Sequence, residues 1–128
     1  MEIYQNQQGI FICQRKYANE VLVKFGMKNS KSVNTLLVQN KKLIVEDGTD
    51  KIDGSVYRSL IGCLLYLTAT RSDVMFAASL LSRFMQSPSE LHFKATKRVL
   101  RYIKGTIDYG IWYEKSKNLR LIGFTDSD

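Results

Sequence analysis

Apolar residues recur at helical spacing along residues 91–104, the most regular stretch of the chain. One side of the predicted helix carries Phe93, Thr96, Val99, Leu100 and Ile103. The segment Ser87-Pro88-Ser89-Glu90 predicts its start, with Ser87 at the N-cap, proline at the first helical position and glutamate at the third. Gly105 predicts its end, because glycine readily adopts the left-handed conformation that closes many helices.

Two more helices are predicted just upstream. Residues 56–70 are apolar almost all round, which is typical of a buried helix. Gly62 in its middle costs about 1 kcal/mol relative to alanine, so we expect a neighbouring helix to pass close to it. Ser72 or Asp73 is expected to cap a helix over residues 74–85. Because the turns between them are short, the three helices predict a compact bundle.

Both ends of the chain have the pattern of β-hairpins. Near the amino terminus, short apolar runs flank the polar tip Asn6-Gln7-Gln8-Gly9, and a helix over residues 15–25, closed by Gly26, follows. Near the other end, Ile111-Trp112-Tyr113 and residues 119–124 flank a polar turn. Since an isolated hairpin is only marginally stable, we expect the first one to pair with strands outside this sequence. The predicted fold class is α+β.

These elements divide the chain into four expected parts. Residues 28–54 are rich in Lys, Asn, Ser, Asp and Gly around short apolar pieces, which predicts a long irregular connector. The parts are a hairpin with its helix (1–27), the connector (28–54), the helical bundle (55–105) and a strand-rich end (106–128).

Composition narrows the class of protein. Of the 128 residues, 45% are hydrophobic and 24% charged, and no apolar run reaches the roughly 18 to 20 residues that a transmembrane helix needs, so we expect no membrane association. The amino terminus lacks the features of a signal peptide, which predicts an intracellular protein with Cys13 and Cys63 as free thiols. Two cysteines and a single histidine do not make a familiar zinc site.

Positive charge is concentrated on the helix predicted for residues 91–104. The net charge of +7 favours polyanionic partners, nucleic acid above all. The side opposite the apolar residues carries Lys94, Lys97, Arg98, Arg101 and Lys104. Each phosphate that such a cation neutralises releases counterions, so this face could hold a nucleic-acid backbone without reading its bases. A merely solvated surface is the alternative.

Few residues are candidates for catalysis. Asp126 and Asp128 follow a predicted strand, where two-metal nucleases hold Mg²⁺, but two carboxylates are fewer than a metal pair needs and spacing alone favours two solvated aspartates. His92 lies on or beside the apolar side of its helix, so we expect a packed, hydrogen-bonded histidine and not a catalytic base. Cys63 is expected to be an inert core thiol.

Three segments occur in an order that is specific. They are Tyr57-Arg58-Ser59-Leu60-Ile61-Gly62-Cys63-Leu64-Leu65-Tyr66-Leu67, then Thr70-Arg71-Ser72-Asp73-Val74, then residues 92–106, which end in Val99-Leu100-Arg101-Tyr102-Ile103-Lys104-Gly105-Thr106. In this combination the chain resembles the reverse transcriptase of Ty1/copia-type retrotransposons. The first hairpin and helix are then similar to the end of the polymerase palm, and the three helices to the thumb. Residues 124–128 are similar to the first strand of the ribonuclease H domain, with Asp126 in the place of its first metal-binding aspartate.

The resemblance implies a fragment of a larger polymerase fold within a Pol polyprotein. Such a fragment would bind a template-primer duplex of RNA or DNA together with the remainder of the polyprotein, in a cytoplasmic virus-like particle or in the nucleus. We predict phosphate contacts from the five cations of the helix, with Arg71 as a further candidate.

The full enzyme of this family uses Mg²⁺, but we expect this chain alone to be inactive and to bind the ion poorly. The polymerase motif Tyr-x-Asp-Asp would lie upstream of Met1, and the other ribonuclease H acids would lie downstream of Asp128. The chain also departs from the family at Ser72, where proline is usual, and in residues 31–37, where a proline is common.

Three alternatives remain open from the sequence. The chain could be a degenerate transposon relic with no selected function, or a generic basic helical domain that binds nucleic acid. It could also belong to an active enzyme in which Asp126 and Asp128 join acids outside this sequence.

Overall fold

The computed structural model describes residues 1–39 and 41–115 in full and the backbone of residues 119–123. Its strands are β1 (Glu2–Asn6), β2 (Gly9–Cys13), β3 (Tyr109–Glu114) and β4 (Leu119–Gly123), and its helices are α1 (Arg15–Lys24), α2 (Gly54–Leu67), α3 (Met75–Ser82) and α4 (Glu90–Gly105). A 3-10 turn, Ser72–Val74, precedes α3. The predicted α+β class, with a hairpin on each side of a helical bundle, is confirmed.

The two hairpins join into one antiparallel sheet, in which the described strands follow the order β1-β2-β3-β4. Phe11 of β2 lies opposite Trp112 of β3, and both side chains are buried together with Cys13. The backbones approach so closely that a Cβ at Gly110 would lie 2.3 Å from the carbonyl oxygen of Ile12. Only glycine fits at that point of the sheet.

The expectation that the first hairpin pairs with strands outside the sequence is therefore wrong. Its partner is β3, which begins almost a hundred residues later along the chain. Hairpins leave a local signal in their turn residues, whereas the pairing of distant strands leaves none.

The main hydrophobic core lies between the four helices. Its largest fully buried side chains include Leu22, Tyr57, Leu60, Ile61, Leu64, Leu67, Leu81, Leu100 and Ile103. Tyr57 is completely buried, and its hydroxyl donates to the carbonyl oxygen of Leu81 at 2.6 Å, which joins α2 to α3. Burial raises the pKa of that hydroxyl. Within the part of the chain described, no helix has the length and apolar character of a membrane span.

The helix α1 ends at the predicted glycine. Gly26 has a φ of 69°, in the left-handed region. The amide of Met27 donates to the Leu22 carbonyl at 2.7 Å, and the amide of Gly26 donates to the Val23 carbonyl at 3.1 Å. These two bonds form a Schellman motif, which satisfies carbonyls that the end of a helix would otherwise leave unpaired.

The helix α2 is less buried than its composition predicts. Leu65 and Tyr66 are 43% and 57% exposed, and a Cβ built on Gly62 would meet no atom within 4 Å. The helix expected to pass close to Gly62 is therefore not among the described residues, and that expectation is wrong. The core packs instead on the opposite side of α2, through Tyr57 and Leu64.

The connector between α1 and α2 is irregular but anchored. Leu36, Leu37, Leu43 and Ile52 pack against the main core. Residues 30–35, which we name the strap, lie beside the carboxyl-terminal half of α4, whereas residues 44–51 lie beside its amino terminus. The connector therefore runs along α4 from its end to its beginning.

Candidate nucleic-acid interface

The helix α4 begins two residues later than predicted, with Ser89 as its N-cap. The Ser89 hydroxyl oxygen accepts a hydrogen bond from the amide of His92 at 3.3 Å, and the Ser89 amide donates to Nδ1 of His92 at 2.9 Å. This is a capping box with histidine in the third position, so the prediction of Ser87 as the cap is wrong. The cause lies in the connector, because the Pro88 carbonyl accepts from the amide of Ile52 at 2.9 Å and Ser89 is extended.

His92 is a packed histidine, as predicted. Its ring is fully buried and stacks on Phe84, with 3.9 Å between the ring centroids. Since Nδ1 accepts a hydrogen bond, the proton of the neutral ring lies on Nε2, which donates to the carbonyl oxygen of Ile44 at 2.7 Å. Nδ1 therefore completes the cap of α4, and Nε2 holds the connector against the helix.

Asp47 completes this contact, and we name Asp47, Ser89 and His92 together the latch. The Asp47 carboxylate accepts from the Ser89 hydroxyl at 2.5 Å, and from the amide and the hydroxyl of Thr49 at 2.9 and 2.7 Å. The hydrogen bond from Ser89 is the largest cause that holds the pKa of Asp47 well below its usual range, followed by those from Thr49. Nε2 of His92 lies 3.6 Å from the same carboxylate.

The latch contains the residue types of a nucleophilic triad, but its hydrogen bonds are arranged as those of a structural contact. A catalytic histidine must accept the proton of the serine hydroxyl. Here the Ser89 hydroxyl donates to Asp47, and His92 receives the Ser89 backbone amide instead. The geometry supports a helix cap and not a nucleophile.

The five predicted cations lie on one side of α4, where the strap contacts three of them. Arg98 Nη2 donates to the Thr35 hydroxyl at 2.8 Å, Arg101 Nε donates to the Lys31 carbonyl at 2.7 Å, and Lys104 donates to the Ser30 carbonyl. Lys94 is exposed, and the Lys97 ammonium lies 4.7 Å from the centroid of the Phe93 ring.

The strap contacts were not predicted from the sequence, and they leave the positive charge intact. Carbonyl and hydroxyl oxygens are neutral acceptors, so these contacts do not neutralise the cations of α4. Residues 21–45 and 91–107 contain no Asp or Glu. That shared lack of acidic residues is a sequence signal that could have associated the first part of the connector with the helix.

Arg71 occupies a buried position that differs from that of the five helical cations. It is 2% exposed, and its guanidinium donates to both carboxylate oxygens of Asp73 at 3.1 and 2.9 Å. It also donates to the carbonyl and hydroxyl oxygens of Thr106 at 3.1 and 2.6 Å. The hydroxyl of Tyr102 donates to Asp73 at 2.9 Å. Arg71 therefore joins the turn before α3 to the end of α4 and offers almost no surface to a phosphate.

The predicted metal ligand Asp126, and Asp128 with it, lie outside the described residues. Within the described ranges, no three His, Cys, Asp or Glu side chains are grouped to hold a metal ion. Cys13 and Cys63 are both free thiols, as predicted, and burial raises the pKa of Cys13. The described geometry thus supports an electrostatic surface on α4.

Comparison with known proteins relates the chain to the Pol polyproteins of transposons. It is 39% identical over 121 residues to the retrovirus-related Pol polyprotein from transposon RE2 of Arabidopsis thaliana, which is 94% of this chain and 8% of that protein. It is 34% identical over 126 residues to the corresponding polyprotein from transposon TNT 1-94 of Nicotiana tabacum, 93% of this chain and 9% of that protein.

The chain also resembles a shorter protein of unknown role. An uncharacterised mitochondrial protein of Arabidopsis thaliana is 39% identical over 129 aligned residues, which cover 100% of this chain and 53% of that protein. The chain spans less than a tenth of the length of the Pol polyproteins it matches. No family model matches it, and no solved structure matches it.

Proposed function

We propose that this chain is a segment of a copia-type retrotransposon Pol polyprotein, in which α4 holds the phosphate backbone of a template-primer duplex for reverse transcription. The similarity to Pol polyproteins supports the assignment to such an element. The observation that carries the binding role is the cationic side of α4, where five positive charges lie without an acidic residue among them. The remainder of the polyprotein is the expected partner, in a virus-like particle or the nucleus.

The mechanism that follows is positioning by charge. Each cation that neutralises a phosphate releases condensed counterions, which favours binding whatever the base sequence. Arg101 uses Nε for the strap, so its Nη1 and Nη2 edge is available to form a two-pronged contact with a phosphate. Mg²⁺ and the polymerase carboxylates would be supplied by other segments of the polyprotein, and this chain would carry out no bond chemistry alone.

The test is a charge reversal on the exposed side of α4. The double variant Lys97→Glu with Arg101→Glu should bind a short fluorescein-labelled RNA–DNA hybrid more weakly in fluorescence anisotropy. The slope of log K against log salt should fall by roughly 0.9 for each phosphate that the variant no longer neutralises. The matched control is Lys16→Glu with Arg83→Glu, which reverses one lysine and one arginine at exposed positions on α1 and after α3.

Two results would contradict the proposal. Equal losses in both double variants would show that only net charge matters and that α4 has no special role. Unchanged binding by the α4 variant would favour a surface whose cations serve only to hold the strap. Circular dichroism should confirm that both variants keep the helical content of the unsubstituted chain.

A further inference from the structure

The strap and residues 91–104 of α4 pack against each other, and neither segment contains an acidic residue. The strap contributes Lys31 and the helix contributes five cations, so these two segments carry six positive charges, compared with a net charge of +7 for the whole chain. Lys28, Lys41 and Lys42 flank the strap along the chain, and residues 27–43 contain no Asp or Glu. Like charges brought together repel each other, and a polyanion that lies over both segments would relieve that repulsion.

The strap contributes charge and also fixes the direction of the helical cations. The Lys31 carbonyl holds Arg101 at Nε, while the side chain of Lys31 is exposed at the same place. The Thr35 hydroxyl holds Arg98 at Nη2. Long cationic side chains lose rotamer entropy when they bind, and side chains held beforehand lose less.

We infer that the strap and α4 form one composite surface for the phosphate backbone of a nucleic-acid duplex. Lys31 contacts phosphate directly, and Thr35 positions Arg98 for a neighbouring contact. This inference rests on the proposed function, and it goes further by assigning binding to a connector whose described residues have no regular secondary structure. Because both segments are positively charged, the partner that fits this surface is a polyanion. The row of cations along α4 fits the regularly spaced phosphates of a nucleic-acid backbone.

The first test replaces Lys31 in the full 128-residue chain. Lys31→Gln should weaken binding to the labelled RNA–DNA hybrid and lower the salt slope by about 0.9, the value expected for one duplex phosphate contact. The matched control is Lys16→Gln, which removes the same charge from the exposed surface of α1. An unchanged slope for Lys31→Gln, or an equal change for Lys16→Gln, would overturn the inference.

The second test separates positioning from charge. Thr35→Val removes the hydroxyl that holds Arg98 and leaves every charge in place, so affinity should fall about two- to fivefold with an unchanged salt slope, a loss of the size of one hydrogen bond. Thr35→Ser keeps the hydroxyl and should restore the affinity. A salt slope that falls in Thr35→Val, or affinity that Thr35→Ser does not restore, would overturn the positioning role.

The outcomes distinguish this inference from the proposed function. If the double reversal on α4 weakens binding and Lys31→Gln does not, α4 binds alone and only the composite surface is overturned. If neither changes binding, both are overturned. Binding to phosphatidylserine-containing vesicles without binding to the hybrid would overturn the choice of nucleic acid as the partner.

Discussion

The connector meets α4 at both ends of the helix, and different interactions hold the two contacts. At the amino-terminal end, Ser89 and His92 of the latch are buried, and Asp47 is partly buried. At the carboxyl-terminal end, the strap is held by cations that stay partly in solvent, such as Arg101 and Lys104. The same irregular segment is thus fixed once by a largely buried hydrogen-bond network and once by charged side chains on neutral acceptors.

The difference predicts which contact contributes more to stability and which one belongs to the proposed binding surface. Removing one partner from a buried network leaves another polar group unpaired, at a cost of about 1–3 kcal/mol for each group. A half-exposed cation that loses a carbonyl acceptor returns to water at little cost. We therefore expect substitutions at the latch to change the free energy of unfolding, and substitutions beside the strap to change affinity for nucleic acid.

The largest expected effect is that of His92→Ala. The substitution opens a cavity beside Phe84 and leaves the Ser89 amide and the Ile44 carbonyl without their partner, so the free energy of unfolding should fall by about 2–4 kcal/mol. Urea unfolding followed by circular dichroism measures it. Leu91→Ala is the control, since its side chain is 38% exposed and the change should cost less than about 1 kcal/mol. Equal losses in the two variants would show that the latch contributes no more to stability than a half-exposed side chain does.

The next expected effect concerns acid. Because the pKa of Asp47 is lower in the folded chain than in the unfolded one, its stabilisation is present above about pH 4 and is lost as pH falls through the folded value. Asp47→Asn should therefore reduce stability at neutral pH and flatten its decline below about pH 4. The measurement is a series of urea unfolding curves across that range, with Asp50→Asn, an exposed neighbour, as the control. If the free energy of unfolding of Asp47→Asn fell as steeply below about pH 4 as that of the unsubstituted chain, the role of the latch would be contradicted.

The smallest expected effect on stability is that of Arg101→Gln. Its contact with the strap is partly exposed, so the free energy of unfolding should change by less than about 0.5 kcal/mol while affinity for the RNA–DNA hybrid falls. The two quantities can be measured on the same sample by urea unfolding and anisotropy. A loss of stability as large as that of His92→Ala would mean that the strap is a structural clamp like the latch.

The local pattern of apolar and polar residues predicted the helices and strands. Long-range contacts determined where α4 begins and how the elements pack. The apolar face of α4 and the glycine end of α1 follow from the positions of Val99, Ile103 and Gly26. The N-cap shifted from Ser87 to Ser89 because the connector pairs with the residues around Pro88. No window of sequence around α4 contains that information.

The candidate site likewise contains residues that local sequence predicts and contacts that depend on long-range packing. The cations of α4 follow from helical periodicity, whereas their acceptors in the strap lie about 60 to 75 residues away along the chain. Arg71 has the right charge for phosphate, but its burial against Asp73 and Thr106 depends on how α3 and α4 pack. The exposure of Gly62 likewise depends on which side of α2 the core occupies.

The pairing of β2 with β3 also has a consequence for folding. Phe11 and Trp112 are about 100 residues apart along the chain, so the centre of the sheet closes a loop that contains all four described helices. During synthesis the first hairpin must wait, with one edge unpaired, until β3 has emerged. Contacts this distant slow folding, because the entropy of loop closure is lost before the contact forms. The helices can assemble first, and we expect the sheet to be the last part of the chain to acquire its native pairing.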